Sequence, residues 1–205
     1  MSDEARDRPD SLLLDTVLGP LAEAVRQSAL PLHILLENRF GELNDNQAEM
    51  IAAARDGVEA ADVLLRRAQR VRALEGRPSI ARTETTRVLD LCRGPLAIAS
   101  AQEAHRGVRF EEDLSPALPR VRGDRANLEE ALTLAISDAA GRAADHAIVV
   151  ITATQRGAER LLVVLRHGAP VGAASLDRLL ARRLVEGEGG ELVEVPGELQ
   201  LTLRT

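Results

Sequence analysis

The sequence predicts an α+β fold, with an N-terminal antiparallel helical hairpin followed by an α/β sandwich. Three observations carry that reading. Apolar residues recur at alternating spacings of four and three along two successive stretches between Leu14 and Leu74, the pattern of a helix that buries one seam. Beyond residue 83, helical stretches alternate with short β-branched runs that end in Gly or Pro turns. Hydrophobic residues make up 45% and aromatics 1% of the 205 residues, so the cores must be built of Leu, Val, Ile and Ala, which suits helix seams.

The elements follow in order. Met1 to Asp10 is polar and is expected to fray. Leu14, Leu18, Leu21, Val25, Ser28, Leu32 and Leu35 form the first seam. Pro20 and Pro31 interrupt it, and each lacks a backbone donor and is expected to start or kink a helix. The helix is expected to end near RFGELND, with Gly41 as its cap. Asn44 suits the N-cap of the next helix, and Gln47 can complete a capping box. Ile51, Ala54, Val58, Ala61, Leu65 and Ala68 make the second seam, which runs to about Leu74 and stops at EGRP. A hairpin over 11–76 buries one side of each helix. Two hairpins complete a four-helix bundle, so a homodimer is expected.

Residues 83–205 form the second part. Thr83 to Ala104 reads as a strand-like entry and a helix, and VRF at 108–110 as a short strand. LPRVRGD leads into a helix with Leu128, Ala131, Leu132, Ala135 and Ile136 on its apolar face. AIVVITAT and RLLVVLRH read as a hairpin joined by QRGAE. SLDRLLARRLVEGEGG is a helix with a Gly stop, and ELVEV with ELQLTLRT is a last hairpin around Pro196-Gly197. The helices are expected on one face of a mixed sheet.

Composition excludes several classes. A net charge of −6 argues against a dedicated nucleic-acid binder. Cys92 is the single cysteine, so there is no intramolecular disulfide and no cysteine metal cage. It reads as a small apolar helix residue. The four histidines are scattered without paired acids at ligand spacing, so no metal site is expected. His105 reads as a helix C-terminal residue, His146 lies beside a strand start and His167 in the turn after a strand. The N-terminus has no apolar signal core, and no apolar run is long enough to span a membrane. A cytoplasmic, stand-alone protein is expected.

Three stretches carry a family resemblance. LPLHILLENRFGELNDNQAEMI, PRVRGDRANLEEALTLAISDAA and ARRLVEGEGGELVEV resemble, in this order, parts of the core of bacterial sensor histidine kinases. Those parts are the phosphotransfer hairpin, the Asn-bearing helix of the GHKL-type ATPase domain, and that domain's last helix with its Gly-Gly turn. The resemblance runs from about Leu12 to the C-terminus and implies a dimerising hairpin followed by a GHKL ATPase-like domain.

The departures from the family pattern bear on chemistry. The resemblance places the phosphoacceptor histidine five residues before the Pro-Leu pair, with an acidic residue after it. Those positions hold Arg26 and Gln27. Arg stays protonated and is no nucleophile, and Gln has no carboxylate. The Mg²⁺-holding Asn of the family falls on Asp138, and a carboxylate also suits Mg²⁺. The adenine-reading Asp falls on Arg166, a cation where an acceptor is needed. Gly168 remains, but GAPVGAA is too short for the family's phosphate-covering lid, and Gly168 and Gly172 do not replace it. No cofactor is expected.

His33 lies seven residues after Arg26 and shares its helix face. Two readings stand. His33 is a displaced phosphoacceptor with Glu37, one turn on, orienting or deprotonating its ring, or it is a solvated residue flanking the seam. Arg66, Arg67, Arg70 and Arg72 read either as a solvated face or as a docking surface for an acidic partner. The resemblance places docking nearer the phosphoacceptor end, at Arg26, Gln27, Leu30, Pro31 and Ile34. The expected function is a two-component signalling adaptor that has lost ATP chemistry and docks a response-regulator receiver domain or a partner kinase. The alternatives are a phosphotransferase acting through His33 and a divergent active kinase.

Overall fold

The computed structural model describes residues 8–37, 41–74, 84–172 and 175–205. The chain divides into two compact units, Met1–Arg72 and Ala73–Thr205.

The first unit holds α1 (Arg8–Leu36) and α2 (Asp45–Leu74). α1 runs unbroken through Pro20 and Pro31, so neither proline starts a new helix. Each removes one donor from the ladder, and the other bonds carry the helix past it. The helix closes at Leu36, and Gly41 has a φ of 119°. Residues 38–40, where a cap by Gly41 would form, lie outside the described residues. The capping box at the start of α2 is reciprocal. Gln47 N–H donates to Asn44 Oδ1 at 2.9 Å, and Asn44 N–H to Gln47 Oε1 at 3.1 Å. Gln69 Nε2 reaches the Leu18 carbonyl across the hairpin at 3.5 Å. Ala22, Leu65 and Asp62 are buried, whereas Leu21 is 46% and Leu35 38% exposed although both belong to the seam.

The second unit begins with β1 (Glu84–Thr86) and α3 (Val88–Glu103), followed by β2 (Arg109–Asp113) and β3 (Val121–Gly123). α4 (Arg125–Arg142), β4 (Ile148–Arg156), β5 (Arg160–Arg166), α5 (Leu176–Gly187), β6 (Glu191–Val195) and β7 (Glu198–Arg204) complete it. The main sheet has the order β2-β4-β5-β7-β6. β2 runs parallel to β4, and the other neighbours are antiparallel. β1 pairs with β3 in a separate ribbon. β2 extends beyond the expected VRF because its acidic tail pairs with β4 at the sheet edge, where charged residues stay in water.

Alternation sets the core. Leu161, Val163 and Leu165 of β5 and Leu199 and Leu201 of β7 are fully buried, as are Ala135, Ile136 and Ala139 of α4 and Ala181 and Val185 of α5. Cys92 is among them on α3. Asp124 caps α4 by accepting from the N–H groups of Ala126 (2.9 Å) and Asn127 (3.2 Å). The Gly-Gly turn after α5 has a steric reason, since a Cβ on Gly190 would lie 2.3 Å from the Thr202 carbonyl oxygen.

Candidate functional site

Two places hold the residues that the sequence singles out, one on each unit. On α1, residues 26, 30, 33 and 37 follow one another at helical spacing on one stripe. Arg26, His33 and Glu37 are exposed, and Leu30 is 64% exposed. Gln27 and Pro31 on the adjoining stripe are also exposed, and Ile34 is half-buried. Arg26 donates to Glu23 Oε2 at 3.0 Å, and Gln27 to Glu23 Oε1 at 3.1 Å. These bonds, Gln27's first and then Arg26's, hold the Glu23 carboxylate below its ordinary value. The position expected to carry a phosphoacceptor therefore carries a guanidinium tied back to its own helix. The His33 carbonyl accepts from Glu37 N–H at 3.1 Å as an ordinary helix bond. On α2, the exposed Arg66 pairs one turn back with Asp62, whose side chain is 11% exposed.

The second place is built where α4, α5, β6 and residues 166–172 converge. Asp138 sits on the core-facing side of α4. Ser175 caps α5: its hydroxyl donates to Asp138 Oδ1 and accepts from Arg178 N–H at 3.0 Å. Arg178, in the first turn of α5, turns inward. Its Nε lies 3.8 Å from Asp138 Oδ2, with the two side chains 2% and 4% exposed, and its Nη1 donates to Glu194 Oε2 on β6. Arg142, one turn beyond Asp138, donates to Glu194 Oε1 and to the Pro170 carbonyl. Gly172 N–H donates to the same Glu194 oxygen at 3.2 Å. Burial alone would raise the Glu194 carboxyl. The Arg142 and Gly172 bonds and the charges of Arg178 and Arg142 outweigh it and hold the group below its ordinary value.

The glycine segment is stitched to the neighbouring turn. The N–H groups of His167 (2.8 Å) and Gly168 (3.0 Å) donate to the Gly197 carbonyl, and Gly197 N–H returns a bond to Ala169 at 2.8 Å. Gly168 adopts φ 73°, which favours glycine. His167 is 5% exposed, and its Nδ1 accepts from Ala169 N–H at 3.1 Å, so the neutral ring carries its proton on Nε2. Burial first, then the Arg142 charge, pushes its pKa down. Arg166 is exposed and bonds Glu198 across the strands at 2.9 Å. Among the described residues, no three His, Cys or carboxylate side chains gather as a metal site requires.

Reading the sequence did not find Arg178, Glu194, Arg142 or Ser175. Two signals were there. Arg178 shares a helix face with Ala181 and Val185, and Glu194 shares a strand face with Leu192, so each is a charge at a core-facing position.

The described elements give an α+β fold, with a helical hairpin in one unit and a mixed five-stranded sheet with three helices in the other. Two solved structures are similar to it. Full-length ShkA in complex with AMPPNP matches 91% of this chain with a TM-score of 0.68 and 17% identity, and this chain spans 45% of that one. The Acinetobacter baumannii histidine kinase AdeS matches 89% with a TM-score of 0.61 and 11% identity, over 94% of its own chain. At these identities the likeness is one of fold. No protein-family description matches the sequence, and no curated protein does.

Proposed function

We propose that this chain is a two-component signalling adaptor, a kinase-core fold that no longer handles ATP and acts by docking. One observation carries the reading. The carboxylate at the position given to Mg²⁺ by the resemblance, Asp138, is already bonded by Ser175 and paired with Arg178. A metal there would meet a buried guanidinium, which repels it. The residues present therefore do not fit a magnesium nucleotide, and Arg166, tied to Glu198, offers no acceptor to an adenine amino group.

In this reading the hairpin (residues 11–76) forms a homodimer, the sandwich (83–205) is a degenerate ATPase-like domain, and the protein works in the cytoplasm. Leu21, Met50 and Leu64, at 46%, 66% and 53% exposure, supply apolar surface for a four-helix bundle. No helix among the described residues is long and apolar enough to cross a membrane. Arg26, Gln27, Leu30, Pro31 and Ile34 form the surface offered to a receiver domain or partner kinase. The test is thermal unfolding with and without Mg-ATP. A nucleotide present at ~100 times its Kd would stabilise the folded state by about 2.7 kcal/mol, and the adaptor reading expects no shift.

A second reading has its own observation. His33 presents an exposed imidazole on the stripe of Arg26. As a phosphotransferase, the chain would accept phosphate from a phosphorylated receiver at His33, with Glu37 beside it. Label on the wild type and none on His33→Gln would establish this, and no label on the wild type ends it.

A further inference from the structure

The same cluster supports a second step, which rests on the reading above. Asp138 and Glu194 bring two negative charges, and Arg142 and Arg178 bring two positive ones. Each charged side chain bonds or pairs with a different element. Arg178 of α5 joins α4 to β6, Arg142 of α4 holds the Pro170 carbonyl and β6, and Glu194 of β6 takes the Gly172 N–H. The cluster therefore ties Pro170, Gly172 and the first turn of α5 to the helix and strand around them.

We propose that Arg178 is a resident substitute for a bound ligand: its guanidinium neutralises the site's carboxylates and, through Glu194, locks residues 170–172 and the start of α5 in place with nothing bound. The physical reason is tethering. A guanidinium covalently fixed in the first turn of α5 is present at its site whatever the solution holds, and its planar fork can serve two carboxylates at once. It is 1% exposed, so water does not compete for it. An ATPase-like domain held this way would present one fixed surface to its partner irrespective of nucleotide.

Hydrogen exchange of the full chain tests this, using wild type, Arg178→Ala and Glu194→Gln, each with and without millimolar Mg-ATP. The amides of Gly172, Arg178 and Leu179 in the wild type should be protected and indifferent to Mg-ATP. In both variants they should exchange at least about tenfold faster, while Leu161–Leu165 of β5 keeps wild-type protection. Millimolar methylguanidinium should slow exchange again in Arg178→Ala by filling the vacated place. Should Arg178→Ala lose β5 protection as well, Glu194→Gln decides alone. Wild-type exchange at the Gly172 amide in Glu194→Gln overturns the proposal. Slowing of wild-type exchange by Mg-ATP instead overturns the reading of the site on which it rests, so the two failures are distinct.

Discussion

The Arg178 guanidinium approaches Asp138 at 3.8 Å, Nε to Oδ2, in a place where neither side chain is more than 4% exposed. Buried pairs of this kind respond asymmetrically to substitution. Removing one partner leaves an uncompensated charge in a low-dielectric site, which costs about 3–5 kcal/mol. Arg178→Ala should lose stability on that scale in urea unfolding. Asp138→Asn should lose less, because Glu194 still pairs the arginine and the amide oxygen can still accept from Ser175. Equal losses would show that Glu194 does not hold Arg178 once the Asp138 charge is gone.

The pH dependence of stability follows from His167 and Glu194. His167 titrates below the ordinary histidine value of 6.5 because it is buried and faces Arg142. The unfolded chain takes up that proton first as pH falls, so this contribution is complete above about pH 6.5 and is lost toward the lower folded value. Glu194 also titrates below its ordinary value of 4.5. Its contribution is present above that pH and is lost as pH falls through the folded value. Both terms make stability rise with pH. His167→Gln should flatten the upper step and leave the acid step, and Glu194→Gln should do the reverse. A wild-type profile in either variant contradicts the assignment.

Cys92 should be chemically silent in the folded protein. Its side chain is wholly buried on α3, and burial, followed by the nearby Glu112 charge, pushes its thiol up to about 12. The thiolate is the reactive form. A thiol reagent at about pH 8 should therefore modify no cysteine until denaturant is added. Prompt modification of the native protein would show that α3 opens locally.

The hairpin's two surfaces separate by substitution. Leu21 lies on the seam yet is 46% exposed, and Leu30 lies on the outer stripe at 64%. Leu21→Glu should shift sedimentation equilibrium toward monomer by at least about tenfold in Kd. Leu30→Glu should leave the proposed dimer intact and weaken binding of the proposed receiver-domain partner by a similar factor. Loss of dimerisation in Leu30→Glu alone would exchange the two roles.

Much of the fold is legible because its signals are local. The reciprocal bonds of Asn44 and Gln47 are encoded within four residues, and both hairpins of the main sheet are marked by the turns between their strands. The strand over Glu111–Asp113 was hidden because its acidic side chains carry no strand signal and its pairing comes from the distant β4. Pro20 and Pro31 read as helix starts or kinks, and α1 continues through both because the bonds on either side remain. The charge cluster was hidden for a related reason. Arg178 and Glu194 are ordinary surface residue types, and only the packing of α5 and β6 against α4 shows that both point inward.

In the proposed reading, the site around Asp138 is closed by the protein's own charges and takes no magnesium nucleotide. Isothermal titration of the wild-type chain with Mg-ATP tests it most directly. No heat beyond dilution is expected up to millimolar nucleotide. A saturable isotherm with one site per chain, weakened by Asp138→Asn, would contradict it.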